Sequence, residues 1–153
     1  MSAGVPSGPR NERRVVVRRV IPAPPDAVFT AWTEPSRLLE WWGPRGVTLV
    51  AAEVDLRAGG RYRLANKFED GSILWITGVF ELVDRPHQIA YTWAHEPLGA
   101  ETEHTRVTVA FQARDGGTEV TVTHEGFRST RSRQDHKSGW LHCLQGLNRT
   151  FTS

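Results

Sequence analysis

The residues able to do chemistry are few and far apart in the chain. His124 lies on the same side of an alternating segment as Val120 and Val122, because successive side chains of a strand point to opposite faces. An imidazole on an apolar wall can orient a ligand or exchange a proton with it. It can equally be a core histidine bonded to a backbone carbonyl. Tyr91 shares a face with Ile89 and Trp93 and brings a hydroxyl to it. Six tryptophans, Trp32, Trp41, Trp42, Trp75, Trp93 and Trp140, are a heavy load for 153 residues. They either fill a core or line a concave pocket that grips an apolar or aromatic ligand. Trp41, Trp42, Tyr91, Trp93, His124 and Trp140 are therefore the candidate ligand-binding residues. Of the adjacent pair Trp41 and Trp42, only one is expected to point fully inward, since neighbours on a helix are about 100° apart.

Other chemistries lack their residues. His136 and His142 are six apart, on different sides of a helix, and Cys143 falls on yet another face. His95 and His104 flank one loop, but two ligands do not close a zinc site. No metal and no cofactor are expected. There is no GxSxG elbow, and Cys143 reads as a small core residue. No GxxxxGK[ST] or GxGxxG cradle follows a strand. No catalytic residue is assigned, and the residues favour binding over an enzyme.

The elements that must position these groups follow from periodicity. Arg14–Ile21 is Val-rich and reads as a strand ended by Pro22, Pro24 and Pro25. A short helix opens at Pro25 with Val28, Ala31 and Trp32 at helical spacing. After Thr33-Glu34-Pro35 a second short helix clusters Leu38, Leu39, Trp41 and Trp42, ended by Gly43-Pro44. Strand patterns then cover Val47–Leu56, Arg61–Phe68, Ser72–Val83, Gln88–His95, His104–Ala113 and Thr118–Glu125. Asp70-Gly71 and Asp115-Gly116-Gly117 mark hairpins, and Gly59-Gly60 a tight turn or bulge. Trp140, Leu144, Leu147 and Phe151 form one helical stripe, with Ser132 and Asp135 as its capping pair. The pattern predicts an α+β layer architecture: a curved antiparallel sheet of six to seven strands with its apolar face covered by a long C-terminal helix, and two short helices after the first strand.

Composition bounds the rest. A hydrophobic fraction of 39% and a charged fraction of 24% are ordinary for a folded chain. Residues 1–12 are expected to be a disordered tail and 13–153 a single domain. No apolar run approaches the ~18 residues of a membrane span, and Met1–Pro9 lacks the apolar centre of a secretory signal. One cysteine excludes an internal disulfide. These features point to a cytoplasmic protein. The net charge is only +2, so the arginines at 10, 13, 14, 18 and 19 read as a solvated face, with no nucleic-acid partner.

Several stretches together resemble a known family. Ala31-Trp32-Thr33, Trp41-Trp42-Gly43-Pro44, Asp55-Leu56-Arg57-Ala58-Gly59-Gly60-Arg61-Tyr62, Gly78-Val79-Phe80-Glu81, Thr92-Trp93, His124-Glu125-Gly126-Phe127 and Gly139-Trp140 occur in that order. They are similar to stand-alone proteins resembling the C-terminal domain of the activator of heat-shock-protein-90 ATPase, within the SRPBCC superfamily of START and birch-pollen-allergen-like proteins. The resemblance implies a helix-grip fold with a cavity between sheet and terminal helix, and a small hydrophobic or aromatic molecule as the non-catalytic ligand. It also implies two alternatives: a chaperone-activator-type module whose partner is a chaperone or other protein, and a polyketide cyclase-like enzyme using His124 and Tyr91. A monomer or homodimer is compatible with either.

Overall fold

The computed structural model describes residues 13–152, so the tail expected over 1–12 lies outside the described residues. Strand β1 (Arg14–Ile21) is followed by helices α1 (Pro25–Thr33) and α2 (Pro35–Trp41). Strands β2 (Val47–Val54), β3 (Arg61–Phe68), β4 (Ile73–Asp84), β5 (Gln88–His95), β6 (Thr105–Arg114) and β7 (Gly117–Glu125) come next, and α3 (Thr130–Thr150) last. All seven strands form one antiparallel sheet in the order β1-β7-β6-β5-β4-β3-β2. Register shifts between Leu49 and Ala51 and between Phe80 and Leu82 bend it. The sheet curls around α3. This is the helix-grip arrangement.

Alternation sets the inner face. Val15 and Val17 of β1, Val107 and Val109 of β6, and Val120 and Val122 of β7 are buried. The intervening residues of β7 are half-exposed. Pro25 and Pro35 each sit in the first turn of their helix, where an amide hydrogen would have no intrahelical partner anyway. Helix α1 buries Val28, Phe29 and Trp32, with Phe29 edge-on to Phe111 at 5.2 Å. Helix α2 is tied to α1 by the Trp41 indole, whose Nε1 donates to Ala31 O at 2.9 Å.

Two expectations about α2 need correction. Trp41 and Trp42 are both buried, at 5% and 7% exposure. The helix ends at Trp41, and Trp42 already has extended backbone angles of −68° and 138°, so the helical rotation between neighbours does not apply across that boundary. Leu39 points outward, away from its expected cluster.

Helix α3 buries the expected stripe of Trp140, Leu144 and Leu147, and Phe151 packs half-buried against it. Burying one such side chain is worth roughly 1.5–3 kcal/mol. Its cap, however, is Ser129, whose Oγ accepts from the Ser132 amide at 3.1 Å. Ser132 and Asp135 are not the capping pair. The Ser132 hydroxyl instead donates to Glu103 Oε1 at 2.8 Å, while Glu103 Oε2 accepts from the Arg128 amide at 2.7 Å. Glu103 thus fixes the start of α3 to the β5–β6 loop. At the other end Gly146 lets α3 approach α2 closely: a Cβ there would lie 2.5 Å from Trp41 O. The Gly59-Gly60 pair is a turn, with Gly59 at φ +86° and both residues hydrogen-bonded to the Phe80 backbone.

Candidate functional site

A cavity of about 590 Å³ opens between the β3–β5 part of the sheet and α3. Its size is that of small-molecule sites. Three indoles meet at it: Trp42 from the end of α2, Trp93 from β5 and Trp140 from α3. Their ring centroids are 6.2 Å (Trp42–Trp93), 5.4 Å (Trp42–Trp140) and 5.5 Å (Trp93–Trp140) apart. Phe68 and Ile76 add apolar wall, and Arg45, Arg131 and Asp135 stand at the mouth.

The other candidates lie elsewhere. His124 is wholly buried and its hydrogen bonds determine its tautomer. Trp140 Nε1, which can only donate, approaches His124 Nδ1 at 2.9 Å, so Nδ1 is the unprotonated acceptor. The proton is therefore on Nε2, which faces Thr105 Oγ1 at 2.7 Å, and that hydroxyl faces Trp93 O at 3.3 Å. Burial above all, then the neighbouring His136 and His95, hold the His124 pKa well below the usual imidazole range. His124 therefore sits behind the cavity as a neutral support that orients Trp140, with no lone pair left for a ligand.

Tyr91 is also behind the wall. Its hydroxyl lies 3.4 Å from Trp32 Nε1, and burial raises its pKa. It borders a separate void of about 30 Å³ beneath Trp32 and Tyr62. Trp41 packs against Trp32 at 4.9 Å as a brace between the short helices. Trp75 takes the Arg63 guanidinium over its ring at 3.9 Å.

Asn66, which the sequence reading left out, reaches the cavity, as do His95 and His136, which it weighed only as metal ligands. Their signals were in the periodicity. Asn66 continues the face of Tyr62 and Leu64 on β3, and His95 continues that of Tyr91 and Trp93 on β5. His136 is one turn before Trp140 on the α3 stripe. The His95 and His136 rings stack at 5.8 Å, and His136 lies 5.0 Å from His124. The His136 Nδ1–H donates to Ser132 O at 2.8 Å, leaving Nε2 free to accept. Partial desolvation, then His136, lowers the His95 pKa. Both rings also border a second hollow of about 380 Å³ under the β5–β6 loop, which carries Glu96, Glu101 and Glu103.

Cys143 is buried and its thiol is pushed up to about 12 by desolvation. Among the described residues no three His, Cys, Asp or Glu side chains are placed to hold a metal ion. Likewise, no described helix is long and apolar enough to cross a membrane.

The family model described as activator of Hsp90 ATPase homolog 1-like protein matches residues 22–152. The chain belongs to that family. No curated protein matches it. Among solved structures, a Chromobacterium violaceum protein superposes with TM-score 0.83 at 23% identity, covering 92% of this chain and 98% of its own. The AHSA1 protein of Silicibacter pomeroyi gives TM-score 0.79 at 22% identity, covering 90% and 96%. A protein of the dynemicin biosynthetic locus gives 0.73 at 23% identity, with 90% of this chain covering 46% of that one. At these identities the likeness shows a shared fold for this member of the activator-homologue family.

Proposed function

We propose that this protein binds a small hydrophobic or aromatic molecule, without covalent chemistry, in the cavity between the sheet and α3. One observation carries the reading: a cavity of about 590 Å³ between the sheet and α3 is walled by three mutually contacting indoles. Aromatic faces bury much area with little side-chain entropy to lose, and a few polar groups at the edge suffice to orient a ligand. Trp42, Trp93 and Trp140 are the contact residues; Trp41 packs on Trp42, His124 holds Trp140, and Tyr91 supports Trp32, which stacks on Trp140.

The test is a titration with an amphipathic aromatic probe, followed by tryptophan quenching, in the natural chain and in Gly139→Leu. Gly139 lies on the cavity wall, and a Cβ there meets only Pro44, at ordinary contact distance. The longer leucine should therefore fill the mouth and leave the fold intact. Saturable binding lost in the variant supports the reading. Binding undiminished in Gly139→Leu moves the site elsewhere, and failure of every probe removes it.

A second reading, proton transfer on the bound molecule, is favoured by the stacked His95 and His136 at the cavity edge. It would use His136 Nε2 as the acceptor, since His124 is fully engaged. Turnover sensitive to His136→Gln, at unchanged probe affinity, would distinguish it.

A further inference from the structure

His136 lies one turn before Trp140 on the inner stripe of α3, and its two ring nitrogens are unlike. Nδ1 is 2.8 Å from Ser132 O. That oxygen can only accept, so Nδ1 carries the proton and the neutral ring keeps its lone pair on Nε2. Nδ1 is thus held at the helix backbone, while Nε2 sits at the far end of the ring, leading away from α3. This end is open. His136 is half-buried, and among the described residues the buried side-chain polar atoms without a partner are Asn66 Nδ2 and Trp93 Nε1 alone. Nε2 has no partner and is not one of these two, so it has accessible surface. The open space beside the ring is the indole-walled cavity and the adjoining hollow under the β5–β6 loop, which share Trp93, His95 and His136 as a common wall.

The other acceptors of the cavity wall offer less. Asn66 Oδ1 accepts from Trp42 Nε1 at 3.1 Å. Ser129 and Ser132 are already tied to each other and to Glu103. Asp135 is exposed at the mouth, where water competes for its carboxylate. His95 is exposed as well, and stacks on His136. His136 Nε2 is the acceptor that is both unengaged and partly withdrawn from water. It also stands beside aromatic faces: the His136 ring is 6.1 Å from that of Trp93, which is 5.5 Å from that of Trp140.

We propose that the ligand of this cavity is an aromatic molecule bearing a neutral hydroxyl, whose ring lies against Trp93 and Trp140 and whose O–H donates to His136 Nε2. This rests on the reading of the cavity as a binding site and names the chemistry that site selects. A phenolic hydroxyl meets the imidazole lone pair without any charge being taken out of water. An ether or a hydrocarbon of the same shape covers the lone pair and leaves it unpaired. A carboxylate has no hydrogen to give to the neutral ring, and burial among indoles costs its hydration.

The experiment titrates naphthol, methoxynaphthalene and naphthoate against the natural chain, His136→Phe and His95→Phe. It is run at about pH 8, above the ordinary imidazole value of about 6.5. His136→Phe removes the acceptor and keeps a ring against Phe127 and Trp93. The quantity read is the naphthol-to-methoxynaphthalene affinity ratio, because comparing it between proteins cancels the different hydration of the two probes. That ratio is expected to fall about tenfold in His136→Phe and to hold in His95→Phe. In the natural chain, with histidine isotope-labelled for nitrogen magnetic resonance, the His136 Nε2 signal should move far more with naphthol than with methoxynaphthalene. That readout does not depend on how the variants fold. A ratio unchanged in His136→Phe with both probes still bound, or a fall confined to His95→Phe, overturns the hydroxyl assignment and leaves the binding site standing. An Nε2 signal that bound naphthol does not move overturns it as well. Naphthoate bound more tightly than naphthol by the natural chain overturns the neutral class. No binding of any of the three overturns the binding reading itself.

Discussion

Trp140 donates its indole N–H to Nδ1 of His124 at 2.9 Å, so a fully buried histidine is the acceptor that fixes the α3 tryptophan of the cavity. The single lone pair where His124 could take up a proton is the one holding Trp140.

That relationship predicts acid sensitivity. The folded state keeps His124 neutral well below the ordinary imidazole value, and its titratable neighbours His136 and His95 act in the same direction. The unfolded chain protonates it near pH 6.5. Below about pH 6.5 the unfolded state therefore binds a proton that the folded state refuses, and stability falls as pH falls. The loss is up to about 1.4 kcal/mol per pH unit, until the folded pKa is reached. Urea unfolding at pH values of about 7.5, 6.5 and 5.5 should show this decline, with a shallower one in His124→Gln. Equal slopes in the two proteins would remove His124 as the cause.

Gly146→Ala should destabilise the protein, against the usual trend. In an exposed helix interior the change gains up to about 1 kcal/mol. Here the new methyl would lie 2.5 Å from the backbone oxygen of Trp41, and backbone yields less readily than a side-chain end. Overpacking of this kind typically costs about 1–3 kcal/mol. A lower melting temperature is expected, and a raised one would show that α2 and α3 are free to separate.

Cys143 should be inert in the folded protein. It is buried, and a thiol at about 12 is almost wholly protonated at neutral pH. Labelling by iodoacetamide should be slow in buffer and rapid in denaturant. Fast labelling of the folded chain would mean that α3 opens away from Trp42 and Gly43.

The sequence carried most of the architecture because alternation and helical spacing are local properties. Val107, Val109 and Phe111, or Trp140, Leu144 and Leu147, announce their inner faces without reference to any other element. The cavity was less legible. His124 could be assigned to the inner face, but its bonds come from Thr105 and Trp140, on separate elements, so its role as a support depends on register across the fold. The burial of both Trp41 and Trp42 depends on where α2 stops, and a helix end is poorly defined by periodicity. Asn66 was readable, as a polar residue on an apolar face. What alternation could not show is that its amide oxygen is engaged and its nitrogen free.

The order of the strands bears on how the protein can be made. β1 pairs with β7, from Arg14 with Glu125 to Ile21 with Thr118, so the first of the seven strands to be made waits for the seventh. Loop closure over that distance comes before any contact rewards it. Trp140 follows later still. A nascent chain therefore exposes the Val-rich β1 and the α1 and α2 tryptophans until β7 has been made, and the cavity lacks its α3 wall until that helix has emerged. A ligand bound there, as proposed, would stabilise only a chain whose α3 has docked, so its occupancy would report on the folding of the whole sheet and helix.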